Sequence, residues 1–191
     1  MTTTIQDKDQ WSANAGTYAE GSKSINLSNA PTETLFTHLN NAYHFSTASA
    51  ILDVGSGPGI TIGKLIEIYG SRLPPNAQLI ASDFSAGMID QVQKIKDEKA
   101  GEDPIWRRVE PRVLDAHTLD GIEDSSMSHI TGTMVYNLVA NGRQALEAAH
   151  RVLQPGGVIG MTLGAGAEWM ELVIICLSIS TSVPLQQLFS C

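Results

Sequence analysis

Cysteine is close to absent from this chain of 191 residues: Cys176 and Cys191 are the only two, both near the C-terminus. That excludes a disulfide framework and makes the cytosol the expected compartment. No apolar run approaches the ~20 residues a membrane-spanning helix needs. The stretch Leu172–Ile179 reads instead as a packed helix or strand. Met1–Gln10 is polar, with neither an apolar signal region nor an Arg-rich transit pattern. Cations are scarce, with 12 Lys and Arg against 20 Asp and Glu and a net charge of −8. A nucleic-acid binder needs a basic face, so RNA and DNA are disfavoured as partners. The main group of cations, Lys94, Lys96, Lys99, Arg107, Arg108 and Arg112, is interleaved with Asp97, Glu98, Glu102, Asp103 and Glu110. It reads as a solvated helix face and loop. The five histidines, His38, His44, His117, His129 and His150, show no ligand spacing with cysteines or carboxylates, so no metal is expected. His117 and His129 are candidates for a general base, but a packed or solvated histidine is the commoner state. No catalytic base is assigned.

What the chain does contain is a break in the run Ile51-Leu52-Asp53-Val54-Gly55-Ser56-Gly57-Pro58-Gly59. An apolar strand carries an acid near its end and gives way to three glycines spaced two apart. A helical segment, Ile60–Tyr69, follows directly. Glycines allow positive φ and close approach of backbone to a ligand. The helix start adds unpaired N–H groups and a positive dipole end. This is the architecture of a nucleotide-type site at the first β–α turn of an open α/β sheet. A nicotinamide fingerprint, G-x-G-x-x-G, needs glycine at position 60, which is Ile60.

Three more segments follow in order. Ala77–Phe84 reads as a second strand ending in an acid, Asp83, after the Pro-containing loop Ser71–Asn76. Ser85 is a plausible cap for a helix through Lys99, and Met88 sits in its first turn. Arg112–Ala116 ends in Asp115 and Ala116. Arg151–Ile159 carries a Pro155-Gly156-Gly157 turn into a further strand. The ordered set, together with Trp11-x-x-x-Ala15-x-x-Tyr18 ahead of it, resembles the class I S-adenosylmethionine-dependent methyltransferases of the small-molecule type.

The resemblance covers about residues 10 to 172 and implies a Rossmann-like, doubly wound α/β sheet. Strands are expected at Ala50–Val54, Gln78–Ser82, Pro111–Leu114, His129–Thr133 and Val158–Leu163, with a first helix over Pro31–Phe45. It implies S-adenosylmethionine as cofactor. Asp53, Gly55, Ser56, Gly57 and Gly59 would cradle its methionine part, with Asp83 and Phe84 at the ribose. Met88, Asp115 and Ala116 would lie at the adenine, Tyr18 over the methionine end, and Thr133 would offer a carbonyl to the amino group. Trp11 and Tyr18 fit equally well as the packing face of an N-terminal helix. Substrate residues would come from Trp11–Asn29, Thr133–Arg143 and Gly164 onward. The implied activity is methyl transfer to a small molecule, at an unspecified O, N or C atom.

Two departures from the family pattern stand out. Met127-Ser128 replaces the usual Phe-Asp ahead of the fourth strand. The chain after Glu171 is uncharged and shows no pattern for the usual C-terminal hairpin of the sixth and seventh strands. The reading is therefore a C-terminally truncated enzyme in three parts: an N-terminal cap segment at 1–45, a cofactor-binding domain at 46–172 and an atypical apolar tail at 173–191. A truncated sheet would leave strand five as an edge, open to the tail or to a homodimer. The alternative function is a non-catalytic protein that binds cofactor weakly or serves as a partner subunit.

Overall fold

The computed structural model describes residues 8–24, 29–165 and 171–178. Helices α1 (Lys8–Ser24) and α2 (Asn29–Ala42) precede β1 (Ala50–Val54), α3 (Ile60–Tyr69), β2 (Gln78–Asp83) and α4 (Ala86–Lys99). Then come β3 (Val109–Val113), β4 (Met127–Thr133), α5 (Gly142–Val152), β5 (Leu153–Ala165) and β6 (Glu171–Ser178). The strands form one sheet in the order β3-β2-β1-β4-β5-β6. β1 to β5 run parallel, and β6 is antiparallel to β5. The expected α/β class and the five parallel strands are present. The direction of winding reverses between β1 and β4, which opens a crevice at the carboxyl ends of the central strands.

Parallel strands covered on both faces must be apolar on both faces, and β1 is buried along its whole length. Ile51 packs with Leu79 and Val109 beneath Leu35, Phe36 and Leu39 of α2, Leu65 of α3 and Val92 of α4. Leu52 and Val54 face the opposite way, toward Ile130, Ile159 and the alanine face of α5. His129 lies on the first of these faces, stacked on Phe45 at 4.7 Å between ring centroids. Its ring nitrogens meet Ser128 Oγ and the carbonyl of Tyr43, each at 2.9 Å. Burial holds the imidazole well below its usual range, at about 4. His129 is thus core, and it does not line the cavity described below. Ser128 Oγ also accepts the amides of Ser49 and Ala50 and meets the Ala50 carbonyl at 2.7 Å. The serine that replaces the family's acid therefore ties β4 to the start of β1.

The sheet edge differs from the sequence reading. β6 pairs along β5 from Val158↔Ser178 to Ala165↔Glu171. The expected homodimer through β5 has no free strand edge to use, because the chain's own later segment satisfies those backbone groups. Among the described residues a single antiparallel strand, rather than a hairpin of two, stands beyond β5. The Pro155-Gly156-Gly157 turn is absorbed into β5. Two steps along β4, Met127 to His129, match five along β5, Leu153 to Val158, and Gly156 takes φ +76° in this irregularity. Two of the expected solvated cations are tied down. Arg107 Nε donates to the Ala100 carbonyl at 2.8 Å, and Arg108 to the Pro74 carbonyl at 2.7 Å. No helix among the described residues is long and apolar enough to cross a membrane.

Candidate functional site

The three glycines after β1 all take positive φ: +65° at Gly55, +53° at Gly57 and +91° at Gly59. Gly55 has a second reason to be glycine. A Cβ there would lie 2.5 Å from Val135 Cγ2. One at Gly132, on β4, would lie 2.3 Å from Tyr136 Cε2. Two glycines on neighbouring strands thus seat the segment that follows β4. Gly59 ends the turn as the N-cap residue of α3.

Asp53 is buried beneath this turn, and Thr131 Oγ1 donates to its Oδ1 at 2.7 Å. Its Oδ2 has no well-formed hydrogen bond among the described residues. Burial, with the Asp83 carboxylate nearby, raises the Asp53 pKa to about 7, even though Thr131 and the Ile62 amide pull the other way. Asp83 ends β2. Its carboxylate accepts the amides of Gly57 and Ser85, each at 2.9 Å. Burial still pushes its pKa up against these bonds. Ser85 caps α4, accepting the Met88 amide at 3.2 Å, as its type and position imply.

Helix α1 lies against α4. Ala15 and Ala19 are its buried residues, and Ser12 Oγ meets Ser85 Oγ at 2.9 Å. Gly87 makes the approach feasible, since a Cβ there would be 2.6 Å from the Ser12 carbonyl oxygen. Trp11 and Tyr18 pack edge to face at 5.6 Å. Tyr18 Cε1 comes within 3.9 Å of the position a Gly57 Cβ would take.

Between α1, the glycine turn and the strand ends is a cavity of about 660 Å³. Of the residues singled out from sequence, Tyr18, Gly55, Gly57, Asp83, Phe84, Met88, Asp115, Ala116 and Thr133 line it. Asp53, Ser56 and Gly59 do not. Asp53 and Ser56 are buried, and a Cβ at Gly59 would meet Val92 of α4 at 3.3 Å. Sequence reasoning missed Leu114 as a lining residue, whereas Met134, Val135, Leu138, Val139 and Ala140 fall in the segment Thr133–Arg143 expected to supply substrate residues. Trp11 and His117 also line the cavity. His117 lies two residues past Asp115, and its Nδ1 is 2.7 Å from Asp115 Oδ1. Asp115 is pushed up by partial burial but held on balance below its usual range by the two His117 hydrogen bonds. Among the described residues no group of three His, Cys, Asp or Glu is placed to hold a metal ion.

Residues 51–157 match the family described as methyltransferase domain. The chain belongs to the class I S-adenosylmethionine-dependent methyltransferases. It is 43% identical over 145 residues to methyltransferase ucsB of Acremonium sp., covering 75% of this chain and 50% of that protein. Methyltransferase tpcH of Aspergillus fumigatus is 24% identical over 159 residues, 83% of this chain and 53% of the other. The chain thus spans about half the length of the curated relatives it matches. A solved Methanococcus maripaludis protein, assigned to the S-adenosyl-L-methionine-dependent methyltransferases, shares the fold. Its TM-score is 0.62 at 22% identity, over 86% of this chain and 68% of that one. Family membership gives the glycine turn and the acids at the ends of β1 and β2 a shared context. The chemistry of the whole protein is a separate question.

Proposed function

We propose that this chain binds S-adenosylmethionine in the cavity and transfers its methyl group to a small molecule. One observation carries the reading: acids, bare backbone and apolar side chains from five separate segments converge on one cavity of about 660 Å³. The cradle fits such a group in two respects. A buried carboxylate oxygen, Asp53 Oδ2, lies below the turn without a good partner. Gly57 leaves open the space a side chain would fill. In this reading the glycine turn, with Asp53 buried beneath it, holds the methionine end and Asp83 the ribose. Asp115 and Ala116 take the adenine, Met88 and Phe84 pack on the nucleoside, and Tyr18 and the Thr133 carbonyl border the reacting end.

When bound, the sulfonium supplies an already activated methyl group. Transfer would join the methyl carbon to an acceptor lone pair, with the carbon–sulfur electrons kept by sulfur and an acceptor proton released to solvent. The chain's part is to align the acceptor and exclude water. Trp11, Leu114, Met134, Val135, Leu138 and Val139 supply an apolar wall for that purpose. This wall and the net charge of −8 favour a small apolar acceptor over a nucleic acid. A cytoplasmic location fits a chain poor in cysteine.

The test is calorimetric titration with S-adenosylhomocysteine, followed by methyl transfer to a panel of phenols, amines and carboxylates. Saturable binding with transfer to at least one acceptor is the expected result. No heat and no thermal shift from folded protein would overturn the cofactor assignment. The alternative outcome is a cofactor-binding partner subunit without activity of its own. Binding without transfer to any acceptor, alone and with transfer restored by a full-length relative, would select it.

A further inference from the structure

His117 bridges two walls of the cavity. On one side its Nδ1 lies 2.7 Å from Asp115 Oδ1, which also accepts the His117 amide at 2.8 Å. On the other side its Nε2 accepts the backbone N–H of Asn141 at 3.2 Å. An imidazole nitrogen that accepts an N–H carries no proton, so the proton sits on Nδ1 and is donated to Asp115. The partners fix the tautomer. Both bonds to Asp115 fall on Oδ1, which leaves Oδ2 for a donor on a ligand. Asn141 closes the segment that begins at Met134, and its Oδ1 caps α5 by accepting the Gln144 amide at 3.1 Å.

The near end of that segment is held by the Met134 amide on the Thr162 carbonyl at 2.9 Å. Met134 sits at φ +57°, a left-handed conformation rare for a side-chain-bearing residue. Between the two anchors, Val135, Leu138 and Val139 face the cavity. The far anchor is the histidine that orients the carboxylate read above as the adenine partner.

We propose that His117 is a positioning residue that anchors two walls of the cavity at once, holding the Asp115 carboxylate through Nδ1 and the apolar acceptor wall at 134–141 through Nε2. The proposal rests on the cofactor reading for Asp115 but not on any assignment of a catalytic base. Through Oδ1 the ring holds the carboxylate in one rotamer. Through Nε2 it holds the last residue of the wall. A ligand donor on Asp115 Oδ2 thus acts on a carboxylate already locked to the acceptor side.

The two nitrogens can be removed separately. Asn places its amide nitrogen near the Nδ1 position, and Gln places an amide oxygen near the Nε2 position. In His117→Asn, exchange of the Asn141 amide, followed by NMR in the absence of ligand, should quicken about 3- to 10-fold while S-adenosylhomocysteine affinity stays within about twofold. In His117→Gln the pattern should reverse, with near-parental exchange and affinity down about 3- to 10-fold. His117→Ala should lose both. Unchanged Asn141 exchange in both the Asn and Ala variants would overturn the anchoring of the wall, and equal effects of Asn and Gln on both readouts would overturn the division of roles between the two nitrogens. If the parent protein fails to bind S-adenosylhomocysteine, the cofactor reading falls. The exchange measurement still decides whether His117 holds the wall.

Discussion

At the scale of single residues, the glycine turn shows how one position answers to two constraints. Gly55 needs positive φ, and its missing Cβ also makes room for Val135. Gly55→Ala is expected to cost on the order of 2 kcal/mol or more and to abolish S-adenosylhomocysteine binding. Gly16 is the control. It lies exposed inside α1 with nothing within 4 Å of a new Cβ, so Gly16→Ala should gain about 0.5–1 kcal/mol and leave affinity unchanged. Denaturant melts and titration of both variants check the pair; equal losses would show that the turn has no special demand. The turn was legible in sequence because glycine spacing encodes backbone conformation directly. The partnership of Gly55 with Val135 was not, since it depends on how the segment after β4 returns over β1.

At the scale of elements, β1, α3 and β2 were legible almost to the residue, whereas β5 begins five residues before the expected Val158. β1 and α3 match their expected bounds, because a short apolar run followed by glycines and a helix-period pattern admits few alternatives. β3 begins two residues before the expected Pro111, since Val109 is a buried residue paired with Leu79. The tail was the least legible part. An uncharged segment without alternation carries no register signal, yet β6 covers the edge of β5. Removing residues 166–191 should therefore bare a row of unpaired amides and carbonyls on β5 and promote self-association. Sedimentation velocity over a concentration series would detect it. A shortened chain that stays monomeric would mean that β6 does not guard the edge.

At the scale of the whole molecule, two buried titratable groups set opposing dependences on pH. Asp53 has its pKa raised from 3.8 to about 7. Between these values the folded state keeps a proton the unfolded chain has released, so stability falls as pH rises. His129 is lowered from 6.5 to about 4. Between those values the unfolded chain takes up a proton that the folded state refuses, so stability falls as pH drops. The upper limits are about 4 and about 3 kcal/mol, and over the shared window the slopes offset each other. Asp53→Asn should leave the histidine opposed only by Asp83, whose pKa burial also raises, giving a protein more stable than the parent at pH 8 and more acid-sensitive below pH 6. His129→Gln should melt at progressively lower temperature as pH rises from 4 to 7. Calorimetric melts of the three proteins across this range decide it, and parallel curves would remove both groups as the cause.

The seat of α1 has a consequence for ligand traffic. A single hydroxyl, that of Ser85, both caps α4 and grips Ser12, while Gly87 lets the two backbones nest. Through Trp11 and Tyr18, helix α1 also forms one wall of the cavity. Loosening the Ser12 contact, as in Ser12→Ala, is expected to shorten the dwell time of a molecule bound against that wall, from a point that need not touch the molecule itself.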